Sequence, residues 1–204
     1  MTLIAPTLQV FFTERFARQC QASPRTIAAY GDAIRVLLGF VQQRTGTAPA
    51  KLDWNDLNAG VISGFLDHVE DERGNSTRTR NVRLTAIRSL FSCAALQHPE
   101  LALLVQRVLD VLPKRFDKRT VTFLTGPEVD GLLAAPVPKR WEGRRDKAVL
   151  APAVQTGLRV TELTSLDCGD ITVGEGAAVR CGGKGRRQRT VALDRPVRNL
   201  LGAW

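Results

Sequence analysis

The apolar period changes once along these 204 residues, and that change limits the folds open to the chain. As far as Leu163 the apolar residues recur every three or four positions, the spacing that gives a helix one buried face. After Asp170 they come in short runs, 171–173, 178–181 and 190–193, parted by glycine-rich turns. Such runs read as strands of a small antiparallel sheet. The expected fold is mainly α with a small antiparallel sheet.

Residues 8–21 open with Leu8, Phe11 and Phe12 and predict an amphipathic helix. Ser23-Pro24 is a start signal, a capping hydroxyl followed by proline in the first turn. The helix it opens carries Ile27, Tyr30, Ile34, Leu37, Leu38 and Val41 on one face, and Gly46 closes it. A third helix over 56–72 aligns Leu57, Val61, Phe65, Leu66 and Val69. Gly74-Asn75-Ser76 ends it and caps a fourth over 77–96, which buries Leu84, Ile87, Leu90, Phe91 and Ala94. With a short helix over 100–111, residues 1–112 form a helical bundle with no strand signal. Residues 113–122 start at a proline, hold four Lys/Arg and few apolar groups, and predict a basic linker. Beyond it, residues 123–204 open with Thr125 and Glu128, a capping box, over a helix that buries Val129, Leu132 and Leu133. A loop over 136–144 leads to a helix over 145–156, and a last helix begins near 195.

Charge narrows the partners. The net charge is +9 and the isoelectric point about 10.1. Residues 1–112 hold 12 Lys/Arg against 10 Asp/Glu, whereas residues 113–204 hold 17 against 10. Most of the field that would attract a polyanion therefore lies in the second half. Simple solubility is the alternative account of a basic chain. No apolar run approaches the roughly 20 residues that span a bilayer, and residues 1–9 lack the order of a signal peptide. Cys20, Cys93, Cys168 and Cys181 are far apart, with only His68 and His98 beside them. Neither a disulfide framework nor a zinc site follows. A reduced, cytoplasmic protein without metal or cofactor is the expectation.

Three clusters could carry chemistry. In Thr156-Gly157-Leu158-Arg159-Val160-Thr161-Glu162-Leu163, Gly157 reads as a helix end and Arg159 as the start of a second short helix. Leu158, Leu163 and Leu166 would anchor it inside. An arginine among apolar neighbours needs an anion, and its planar fork suits two phosphate oxygens. An ion pair of Arg159 with Glu162 or Asp170 would serve equally. Arg78, Arg80 and Arg83 fall in the first two turns of the fourth helix, where free N–H groups favour phosphate; a solvated helix face is the plainer account. Lys184, between Gly183 and Gly185, tips a hairpin followed by Arg186, Arg187 and Arg189. A nucleotide-binding Walker loop would need glycine at 178 and a hydroxyl after the lysine, and Ala178 and Gly185 exclude it.

Together, Arg145-Asp-Lys-Ala-Val-Leu, the Arg159 stretch, Leu166, Asp170 and the Gly183-Lys-Gly turn resemble the tyrosine recombinase (phage integrase) family. The likeness covers 123–204 by motif and 8–111 mainly by layout. It implies a helical, SAM-like core-binding domain followed by part of an α+β catalytic domain, with double-stranded DNA as partner. It implies that Arg159 holds the scissile phosphate, Glu162 supports the site, and Lys184 protonates the leaving 5′ oxygen, with no metal. Family members cut through a tyrosine that forms a 3′-phosphotyrosine, and they act in DNA recombination and integration on mobile elements. The family's His-x-x-Arg motif and nucleophile have no counterpart here. His68 and His98 are followed three positions on by Asp71 and Leu101, and the one tyrosine, Tyr30, lies in phase with the core of the second helix. The expectation is a truncated recombinase that binds duplex DNA without cutting it alone, and that associates with itself or with an intact recombinase. A non-enzymatic protein occupying recombination sites is the alternative, since it would share all these residues.

Overall fold

Capping side chains set most of the α-helix starts. The computed structural model describes residues 2–117, 120–183 and 188–204. The chain divides into two compact units, Met1–Arg119 and Thr120–Trp204.

In the first unit, α1 (Ile4–Val10) runs directly into a π-helix (Phe11–Gln19). Its wider turn brings Phe11 against Phe16, five residues on, with ring centroids 4.7 Å apart. The Cys20 N–H donates to the Arg15 carbonyl at 2.8 Å, again five residues back. The helix therefore starts earlier than the predicted 8–21 and changes type midway. The early start is fixed from outside: the Ile4 N–H donates to the Leu52 carbonyl at 3.1 Å, and Leu3 bridges to Asp53. In α2 (Pro24–Thr45), Ser23 Oγ accepts the Thr26 N–H at 3.2 Å, as its sequence position implies. The predicted 56–72 helix is split by two caps. Asp53 Oδ1 accepts the Asn55 N–H at 2.7 Å and holds a separate 3-10 turn, Trp54–Leu57. Asn58 Oδ1 then accepts the Val61 N–H at 3.1 Å and opens α3 (Ala59–Asp71). Ser76 caps α4 (Thr77–Gln97) through the Thr79 N–H at 3.2 Å, and α5 (Ala102–Leu109) follows.

These helices enclose one core, with Leu37, Trp54, Ile62, Phe65, Leu66, Ile87, Leu90 and Phe91 fully out of solvent. Trp54 stands edge-on to Phe91 at 5.1 Å. The start of the predicted linker belongs to this unit. Asn81 holds Lys114 at both ends of its backbone, donating to its carbonyl at 2.7 Å and accepting its N–H at 3.1 Å. The Lys114 ammonium meets Glu70 at 2.6 Å.

The second unit opens with α6 (Gly126–Ala134), where Glu128 Oε2 accepts both the Thr125 N–H and its hydroxyl, at 2.7 and 2.8 Å. The buried face expected for α6 is not formed. Val129 and Leu133 are only half-buried and Leu132 is exposed, because this short helix leans on its neighbour without being covered. That neighbour, α7 (Trp141–Thr156), begins four residues before the predicted 145. A Cβ on Gly143 would lie 2.0 Å from the Val137 carbonyl oxygen, so only glycine lets the preceding loop cross the first turn. The helix continues through Pro152 and stops at Gly157, whose φ of 59° is the left-handed cap conformation. After α8 (Val160–Leu163) come β1 (Ile171–Thr172), β2 (Ala178–Gly182) and β3 (Gln188–Ala192), antiparallel in the order β1-β2-β3. Val179 pairs with Val191 and Cys181 with Arg189. β3 thus starts two residues before the predicted 190. In α9 (Arg195–Gly202), Asp194 Oδ1 accepts the Val197 N–H at 2.8 Å. Leu158, Ala177, Val179, Cys181, Leu193 and Val197 form the core of this unit.

Candidate nucleic-acid interface

The α7–α8 corner gathers charge around one buried carboxylate. Gly157 ends α7, Leu158 is drawn into the core, and the next residue, Arg159, becomes the cap of α8. A glutamate three residues into a helix can reach back to the cap N–H. Glu162 does so, with Oε2 accepting the Arg159 backbone N–H at 2.8 Å. Its Oε1 accepts from Arg159 Nη1 at 3.0 Å, and Oε2 also accepts from Arg189 Nη2 at 3.0 Å. Glu162 is 4% exposed, whereas the Arg159 and Arg189 side chains are 67% and 44% exposed. The Arg159 N–H bond is the main reason its carboxyl lies below the ordinary glutamate range. Burial opposes that effect, and the two guanidinium groups reinforce it.

This arrangement reverses the expected roles in the pair. The arginine was expected to be the buried member requiring an anion, but the buried group is the acid. One face of each guanidinium is held by Glu162 while much of the side chain stays in solvent. Two cations on one carboxylate leave a net positive corner, and exposed N–H groups of this kind can bind a tetrahedral anion. The other expected partner, Asp170, lies 3.9 Å from Arg180 instead.

Lys184, Arg186 and Arg187 lie outside the described residues, between the ends of β2 and β3. Arg189 lies within β3 and joins the Glu162 cluster, a role its place in a basic run concealed. The sequence carries no local signal for this role, because it depends on the strand register that sets Arg189 opposite Cys181.

In the first unit, the structure does not gather Arg78, Arg80 and Arg83 into one seat. Arg78 is exposed, with its guanidinium 5.5 Å from the centre of the Phe116 ring. Arg80 is 5% exposed, and its Nε lies 3.6 Å from Glu70. Arg83 is largely buried and pairs with Asp32 at 3.2 Å. Helical spacing sets Arg78 apart, since it is two positions from Arg80 and faces away from it, whereas Arg80 and Arg83, three positions apart, share a side and both meet acids. Glu70 also accepts the Thr77 hydroxyl at 2.8 Å. The Lys114 contact, followed by Thr77, holds its carboxyl below the usual range. Glu70 and Asp32 are not legible as partners in the sequence, because Arg80 and Arg83 lie 10 and 51 positions from them. Tyr30 is half-buried, with its ring 4.9 Å from Phe16. Among the described residues no group of three or more His, Cys, Asp or Glu could hold a metal ion, and no helix is long and apolar enough to cross a membrane.

Comparison with known proteins agrees with this architecture. The phage integrase N-terminal SAM-like domain matches residues 11–98, and the phage integrase family matches residues 122–204. Two integrase/recombinases of Sinorhizobium fredii are similar over 98% of the chain. One, y4rC, is 46% identical, and the chain spans 60% of its length; the other, y4rD, is 38% identical, and the chain spans 72%. The tyrosine recombinase XerC of Pelotomaculum thermopropionicum is 31% identical, with 90% of this chain and 58% of that protein covered. Among solved structures, the XerH site-specific recombinase bound to palindromic difH substrate superposes with a TM-score of 0.64 at 19% identity, covering 90% of this chain and 53% of that one. The chain belongs to the phage integrase, or tyrosine recombinase, family. It spans 53–60% of the length of three of these four relatives and 72% of y4rD.

Proposed function

We propose that this chain binds duplex DNA in site-specific recombination and seats a backbone phosphate on Arg159. The observation that carries this reading is the pairing of an exposed Arg159 guanidinium with a buried, charged Glu162. The buried acid fixes the arginine's direction without neutralising its outer face. In phosphoryl transfer, negative charge grows on the non-bridging oxygens, and fixed cations stabilise it. Lys184, which falls between β2 and β3 in the sequence, would protonate the leaving 5′ oxygen, with Arg186 and Arg187 contacting the flanking backbone. In the first unit Arg78 is the arginine of α4 left exposed for a phosphate. Residues 1–112 serve as the core-binding part, 113–122 as a basic linker, and 123–204 as the catalytic part. The 204-residue polypeptide alone would hold DNA without cutting it, because its single tyrosine is half-buried in the first unit. The XerH recombinase bound to difH substrate and the Tn1549 transposon integrase in complex with circular intermediate DNA share this fold, which supports DNA as the partner.

Duplex affinity measured across a salt series tests this reading. Binding should weaken steeply with salt, and replacing Arg186 and Arg187 by alanine should flatten the log–log slope by about one unit per lost contact. Affinity that ignores salt would refute the proposal. With a nicked duplex that traps phosphotyrosine, a denaturing gel should show free protein only. An adduct lost in Tyr30→Phe would overturn this part of the proposal.

A further inference from the structure

Arg189 lies on β3 and Arg159 at the start of α8, 30 positions apart, yet both donate to one carboxylate. Three donors converge on Glu162 at 2.8–3.0 Å, and two of the three come from Arg159 itself. Among the described residues, Arg189 supplies the third and is the only one from outside α8 and its cap. It donates to Oε2, the oxygen that also takes the Arg159 backbone N–H. β3 is in turn registered to β2 at this residue, since Arg189 pairs with Cys181 and its carbonyl accepts from the Cys181 thiol at 3.7 Å.

We infer that Arg189 is a positioning residue: through Glu162 it fixes the Arg159 guanidinium and ties β3 to the same corner. The inference rests on Arg159 being the phosphate contact. Without Arg189, the donors left to the Glu162 carboxylate among the described residues come from its own helical turn. A direct phosphate contact by Arg189 is the competing role, and the two roles separate in a double-mutant cycle.

The experiment uses the full chain, with duplex affinity at fixed salt for Arg189→Gln, Glu162→Gln and the double variant. The expected result is about a tenfold loss in Arg189→Gln, the size of one charge-assisted hydrogen bond of about 1.4 kcal/mol. Glu162→Gln should lose about as much, and the double variant should lose little more than either single one. Arg189→Lys, which keeps a cation and a donor, should recover part of the loss. Full additivity in the double variant would overturn the inference in favour of a direct contact. A carbon-13 titration of Glu162 without DNA provides a readout independent of phosphate binding. The carboxyl should titrate higher in Arg189→Gln than in the wild type, with the circular dichroism unchanged. An unmoved Glu162 titration in a folded variant would also overturn the inference. If the titration moves but Arg159→Ala leaves affinity intact, the functional reading of Arg159 has failed while the positioning link stands.

Discussion

The two units place charged groups in opposite ways. In Met1–Arg119, arginines are drawn inward: Arg80 is buried against Glu70, and Arg83 is largely buried against Asp32. In Thr120–Trp204 the acid is drawn inward, and Arg159 and Arg189 remain in solvent around Glu162. The cores differ in the same sense. Among the described residues, 23 buried side chains form the first core, with five phenylalanines and Trp54 among them. Six small or aliphatic residues form the second. A deep core can orient arginines as structural struts, each matched by an acid. A shallow one cannot bury long side chains, so its cations stay available to a ligand. Basic residue types alone therefore do not mark a contact surface; the position of the paired acid does.

The largest expected effect tests the depth of the first core. Phe65→Ala should cost about 3–5 kcal/mol and lower the melting of the first unit, leaving the hydrogen-exchange protection of α7 unchanged. Loss of protection in both units together would show that they unfold as one. Gly143→Ala should act on the second unit in the same selective way, by about 3 kcal/mol, since the new Cβ meets the Val137 carbonyl. Val179→Ala should cost about 2 kcal/mol for two buried methyl groups and the space they leave. A thermal scan should resolve two transitions, with the second unit melting first; the reverse order would break the comparison of core depth.

Acid should act on both units through depressed carboxyls. Glu70, Glu128 and Glu162 are held below the ordinary glutamate range by their hydrogen-bond donors. Each contributes stability that is fully present above the unfolded value of about 4.3 and is lost as pH falls through the lower folded value. Melting curves for wild type and Glu162→Gln should differ at neutral pH and converge in strong acid. A difference that persists there would assign Glu162 a role other than its charge. The smallest effect concerns the start of the linker: Asn81→Ala removes both backbone contacts to Lys114 and should speed tryptic cleavage after Lys114 about fivefold.

Local signals in the sequence were legible where the cause was local. Ser23, Ser76 and Gly157 act within four residues of themselves, and the structure uses them at the predicted ends. Glu162 was readable as a partner of Arg159 because both lie in one turn. Arg189 was not readable, because its place beside Glu162 depends on the β2–β3 register. The π-helix escaped notice because Phe11 and Phe16 fit an ordinary amphipathic pattern almost as well. α6 was misjudged for the opposite reason: its apolar spacing is helical, but periodicity does not reveal whether anything covers the face. The same limit made Arg78, Arg80 and Arg83 look equivalent until Glu70 and Asp32 were in place.

Duplex affinity of Arg159→Ala and Arg80→Ala, compared on folded protein over one salt series, tests the central claim most directly. The account predicts that Arg159→Ala weakens binding about tenfold or more and lowers the salt slope by about one unit. Arg80→Ala, once corrected for any unfolded fraction, should leave the slope unchanged. An unchanged slope in Arg159→Ala together with a reduced one in Arg80→Ala would contradict the account, placing the phosphate contact on the buried arginine of the first unit.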